Sequence, residues 1–174
     1  MSVVPKKTIT LSVGAKRNVN DGNVFCALVM SYEGSRLYQH RFTDILTRDI
    51  AGGETSVNGG FAYMIAKALS LLTETCRVRV YTSSDTRELT RSLALYSGAR
   101  VNPEKVYHNT NIYPALIRMI NARVDGGDIT IGCNTNDVLV NESLTMATAF
   151  YEQWESDVAA RASAPKSIST PSPL

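Results

Sequence analysis

The chain has 174 residues, 44% apolar and 20% charged, with 18 Lys and Arg against 16 Asp and Glu for a net charge of +2. Length and composition suit one domain with a core of its own, and exclude a disordered chain, a collagen-like repeat or a disulfide-dependent miniature. The mild charge neither requires nor excludes nucleic acid, because binding follows how cations cluster rather than their sum.

Residues 1–6 form a short leader interrupted by Pro5. Lys7 to Val13 alternates Ile9, Leu11 and Val13 with Thr8, Thr10 and Ser12, the pattern of a strand with one apolar face. Gly14 to Gly22 reads as a loop carrying Lys16 and Arg17. Asn23 to Tyr32 is almost wholly apolar, as a central strand buried on both faces would be. A hairpin turn at Glu33-Gly34-Ser35 returns the chain through Arg36 to Phe42, so the first three strands form an antiparallel meander. Thr43 to Val57 has no sustained period and reads as a loop, with Asp44, Asp49 and Glu54 as solvated charges.

Asn58 to Leu95 organises the rest. Phe61, Met64, Ile65, Ala68, Leu69 and Leu72 recur at helical spacing. Arg77 to Thr82 alternates as a strand, and Ser83 or Ser84 would cap a helix with Asp85 and Glu88 in its first turn and Gly98 at its end. Helix, strand, helix at this pace implies an α/β fold. Ala99 to Asn111 is irregular. A helix follows from about Pro114 to Val124, stopped by Gly126-Gly127, and then a strand from Asp128 to Cys133. The last helix carries an apolar stripe of Val140, Leu144, Ala147, Tyr151, Trp154 and Val158, expected to face the core, and an acidic face of Glu142, Glu152, Glu155 and Asp157. From Ser163 the Ser-, Pro-, Ala- and Thr-rich tail is expected to be disordered, leaving 7–162 as the domain.

Cys26, Cys76 and Cys133 form no Cys-x-x-Cys pair, which reads as buried free thiols in a reducing compartment. No apolar run is long enough to span a membrane and no signal-peptide core is present, so a cytoplasmic location without a membrane partner is expected. His40 and His108 are the only histidines, with no nucleophile elbow, phosphate loop or acidic cluster beside them. Arg77 and Arg79 are an odd pair, because a central strand covered on both faces would bury two guanidinium groups.

At this point the chain resembles the ribonuclease H family, from about Lys7 to Arg161. Val24 to Tyr38 resembles the family's second and third strands, with a Tyr-x-Gly turn. Asn58 to Cys76 resembles its first helix, including Ala68-Leu69 and the cysteine before the next strand, and Asn141-Glu142 resembles the pair that opens its final helix. The resemblance implies a five-stranded mixed sheet flanked by helices. Family members cleave the RNA of an RNA–DNA hybrid with two divalent ions held by four carboxylates. The matching positions here are Val13, Phe61, Ser83 and Thr145, and the loop before the last helix, Gly132-Cys-Asn-Thr-Asn-Asp137, lacks the family's histidine. Asp85 and Glu142 lie close to two of these positions in sequence.

The expectation is therefore a pseudoenzyme with no catalytic residues, metal or cofactor. The leading reading is a binder of RNA or an A-form duplex, contacted by Gly14, Lys16, Arg17 and Asn58, since such ligands are read through backbone and shape. Gly14 and Asn58 match family positions that touch the hybrid's backbone, although a turn glycine and a helix cap are the stronger readings of the two. By analogy with degenerate RNase H-like domains in viruses, the protein would be a virus-encoded accessory protein. The alternatives are a protein-interaction or assembly module, and a nuclease with a shifted metal site through Asp85 and Glu142.

Overall fold

The computed structural model describes residues 7–32, 35–72, 75–98, 100–102, 104–105, 107–123 and 129–163. The leader, the turn at 33–34, Gly126-Gly127 and the tail beyond Ser163 lie outside these residues. Strands β1 (Lys7–Arg17), β2 (Val24–Tyr32) and β3 (Ser35–Leu46) form the antiparallel meander. Strand β4 (Cys76–Thr82) joins β1 in parallel and β5 (Ile129–Cys133) joins β4 in parallel. The sheet order is β3-β2-β1-β4-β5, the expected five-stranded mixed sheet.

Two strands run further than in the sequence reading. β1 continues through Gly14, Lys16 and Arg17, each paired to β2 as far as Val24, so these residues belong to a strand and the loop is confined to 18–23. β3 runs on to Leu46, and a helical turn α1 (Arg48–Ala51) follows, capped by Thr47 and closed by Gly52 at φ 77. The alternation over 42–46 was obscured because Asp44 occupies an inward position between Phe42 and Leu46. Its charge is met there by Lys67 and by the Tyr63 hydroxyl at 3.2 Å, rather than by solvent.

Helix α2 (Val57–Leu71) lays Phe61, Met64, Ile65, Ala68 and Leu69 on one face of the sheet, against Leu11, Val13, Cys26 and Leu28. Its cap is Ser56, whose hydroxyl accepts from the Gly59 N–H at 3.1 Å. Helices α3 (Arg87–Ser97) and α4 (Ile112–Asn121) pack on the same side. α3 starts three residues after Ser84 because the Thr82 hydroxyl donates to the Ser84 carbonyl at 2.7 Å, holding 83–84 in a turn, while Asp85 accepts from the Arg87 N–H.

Helix α5 (Val138–Ser163) crosses the opposite face of β1 and β2. Asp137 caps it, accepting from the Leu139 and Val140 N–H groups at 2.9 and 3.0 Å. Its 26 residues span about 39 Å, which outruns the sheet. The expected core stripe is therefore buried only at Val140 and Ala147, half-buried at Leu144 and Tyr151, and exposed at Trp154 (38%) and Val158 (48%). No helix among the described residues is long and apolar enough to cross a membrane.

β4 is covered on one face only. Cys76, Val78, Val80 and Thr82 are buried under the helices, whereas Arg77 and Arg79 are exposed on the other side. The expectation of cover on both faces fails because α5 lies over β1 and β2, and that gap is what lets two arginines sit in an interior strand. Cys26 and Cys76 are buried as expected, but Cys133, at the end of edge strand β5, is exposed.

Candidate nucleic-acid interface

The ends of β1 and β4 and the start of α5 converge at Val13 and Gly14. The Ser83 N–H donates to the Val13 carbonyl at 3.0 Å. A side-chain carbon on Gly14 would come within 2.6 Å of the Ser143 carbonyl carbon and Leu144 Cα, so α5 rests directly on the strand backbone. Val13 and Phe61 are fully buried, Ser83 is half-buried, and Thr145 is exposed with its hydroxyl donating to the Asn141 carbonyl. The four positions at which the sequence resemblance sets the family's carboxylates thus hold two enclosed apolar side chains and two hydroxyls.

Asp85 and Glu142 are not brought together. Asp85 stays at the start of α3, beside Arg87. Glu142 accepts from the Arg41 guanidinium at 2.9 and 3.2 Å. Arg41 belongs to β3, three strand spacings or about 14 Å across the sheet from β4. Among the described residues, no group of three or more His, Cys, Asp or Glu is placed to hold a metal ion.

The four expected contact residues fare differently. Gly14 is buried beneath α5, so helix packing accounts for the glycine. The Asn58 amide donates to the Asp85 carbonyl and accepts from the Leu89 N–H, both at 3.1 Å, which fastens the start of α2 to that of α3. Lys16 is exposed, with its ammonium 5.4 Å from the centre of the Tyr151 ring. Arg17 is part-exposed, donating to the Thr55 hydroxyl at 3.0 Å and facing Glu54, which also pairs with Arg48 at 3.4 Å. The structure therefore brings Lys16 and Arg17 to the rim of the sheet and turns Gly14 and Asn58 inward. Glu54, read as a solvated charge, is paired.

Sequence reasoning missed the network beside this rim. Glu88 accepts from the Ser56 hydroxyl at 2.7 Å, the Tyr113 hydroxyl at 2.8 Å and the Asn109 amide at 3.3 Å. Burial, and then the negative charge of Glu88, push the Tyr113 phenol upward. Glu88 was legible as an acid in the first turn of α3, but its partners come from residues 32 and 25 positions away.

No family model matches the sequence, and no curated protein matches it significantly. By structure the chain is similar to LC9-RNase H1, described as a type 1 RNase H with the type 2 active-site motif. That likeness has TM-score 0.55 and 14% identity over 99% of this chain and 95% of the other. It is also similar to the foamy viral protease-reverse transcriptase in complex with dsDNA, at TM-score 0.52 and 16% identity over 83% and 92% of the two chains. A third similarity, TM-score 0.52 at 16% identity, is to native prototype foamy virus protease-reverse transcriptase, of which it covers 20% with 85% of this chain. At these identities the likeness concerns architecture, and on that evidence the chain has an RNase H-like fold.

Proposed function

We propose that this is a non-catalytic RNase H-like protein that binds RNA or an A-form duplex at the rim formed by the end of β1. The observation that carries the reading is that Val13 and Phe61, which the sequence resemblance sets at metal-holding positions, are both fully enclosed in the apolar core. Two divalent ions need charged oxygen ligands, and this donor set of valine, phenylalanine and two hydroxyls does not fit them. Binding can outlive such a loss because A-form duplexes are recognised through phosphates and shape. Lys16, exposed on Tyr151, and Arg17 supply cations at the rim. A cytoplasmic, virus-encoded accessory role is the setting we infer for it.

The test is a titration of the full chain, without metal, against dsRNA, RNA–DNA hybrid, ssRNA and dsDNA at two salt concentrations. Preference for the A-form duplexes, steep weakening with salt and a further loss in Lys16→Glu support the reading. Lys16→Glu is used alone because Arg17 also holds Thr55. Absence of duplex binding, or Mg²⁺-dependent cleavage of the hybrid abolished by Asp85→Asn, would sink it.

One observation favours the protein-interaction reading. The projecting end of α5 exposes Trp154 and Val158 beside Glu152 and Glu155. Self-association that ignores salt and is lost in Trp154→Ser would support it.

A further inference from the structure

The face of β4 and β5 that α5 leaves open, with the first residues of β1 along its edge, presents a polar strip. Strand pairing sets Arg77 beside Thr8, and Arg79 between Thr10 of β1 and Thr130 of β5, with Tyr81 beside Gly132 further along the same face. Arg77, Arg79 and Thr130 are exposed, and Tyr81 is half-buried. Neither arginine hydrogen-bonds or ion-pairs with a described residue. Among the described residues of these three strands, none on this face is acidic.

We propose that this strip binds single-stranded nucleic acid. Arg77, Arg79 and Tyr81 point the same way from one strand, at steps of about 6.6 Å. Two guanidinium groups in line track a phosphate backbone, and the tyrosine ring offers a stacking platform to a base. Only an unpaired base can lie flat on such a ring, which favours a single strand over a duplex. The hydroxyls of Thr10 and Thr130 flank Arg79 as further polar groups for sugar or phosphate. β4 is an interior strand with neighbours on both sides, so the strip is held rigid by the sheet. An acidic helix from a second copy is the competing occupant. The projecting end of α5 brings Trp154 and Val158 with its carboxylates, and the strip has no apolar counterpart for them. The strip is separate from the β1 rim and does not depend on the reading above. Lys16 stands six residues along β1 from Thr10, the residue paired to Arg79, or about 20 Å.

The experiment titrates the full chain against a fluorescein-labelled 12-nucleotide oligouridylate across a salt series. The variants are Arg77→Glu with Arg79→Glu, Tyr81→Ala, and Lys16→Glu. The double reversal is expected to weaken binding tenfold or more at low salt and to flatten the salt slope by about 1.4, from two lost phosphate contacts. Tyr81→Ala is expected to weaken it about fivefold or more, through lost stacking. Lys16→Glu is expected to lower duplex affinity and to weaken oligouridylate binding much less than the double reversal does. Photo-crosslinking of 4-thiouridine RNA to the wild-type chain, mapped to β4, would locate the contact without any substitution. No oligouridylate binding by the wild type, unchanged affinity in the double reversal, or crosslinks confined to other elements overturns the proposal. So does a dimer that the double reversal dissociates while oligouridylate binding stays constant. Absence of duplex binding by the wild-type chain, with its oligouridylate binding intact, sinks the rim reading alone.

Discussion

Gly14 and Cys26 show how individual residues take their roles from neighbours distant in sequence. Gly14 allows α5 to lie on the backbone of β1, and a side-chain carbon there meets Ser143 and Leu144 at 2.6 Å. These are main-chain atoms of a long helix and have nowhere to go. Gly14→Ala is expected to cost about 2–3 kcal/mol through overpacking, measured by urea denaturation. A change below about 0.5 kcal/mol would mean that the helix yields. Complete burial pushes the Cys26 thiol up to about 12. An unfolded chain releases that proton above about pH 8.5 while the folded chain keeps it, so stability falls as pH rises from there toward 12. One such group contributes a slope of about 1.4 kcal/mol per pH unit. Urea melts at pH 7, 9 and 10 should show the decline, and Cys26→Ala should make it shallower; equal slopes in the two proteins would contradict the assignment. The sequence showed a cysteine in an apolar run and a glycine after a strand. It did not show that α5 would press on the glycine.

At the scale of elements, the joint between α5 and the sheet is aromatic. Phe25 of β2 is fully buried and meets Phe150 at 5.3 Å, Tyr151 at 5.2 Å and Trp154 at 6.0 Å between ring centres. Phe25→Ala is expected to cost about 3–5 kcal/mol and to red-shift Trp154 emission as the helix end loosens. Near-native stability in that variant would place the anchoring of α5 elsewhere, at Val140 and Ala147. The elements that sequence made legible were those whose pattern is set by a single neighbour. α2 has a broad apolar stripe facing one sheet, and β2 is apolar because it is covered on both faces. The end of β3 was missed because its inward carboxylate at Asp44 is matched by Lys67, a partner only the fold supplies. The start of α3 was placed early for a similar reason: serine is a common cap, yet Thr82 and Ser84 spend their hydrogen bonds on a turn.

At the scale of the whole molecule, α5 divides the sheet's second face into a covered part and an open part. The covered part buries Gly14 and Phe25, and the open part leaves Arg77 and Arg79 in water. If both readings hold, the molecule carries two cationic surfaces, a rim for duplexes and a strip for single strands, on one rigid sheet. The order of strands and helices, the antiparallel meander and the α/β class were determined by the sequence alone, because hydrophobic period and turn chemistry act within a few residues. The likeness of that order to RNase H was legible for the same reason. Only the tertiary structure decided that Gly14 and Asn58 are used internally, that Lys16 and Arg17 reach the rim, that Glu142 is held by Arg41, and that β4 is bare on one side. Each of these depends on where a long helix crosses a sheet, and that crossing is set by packing between residues up to more than a hundred positions apart.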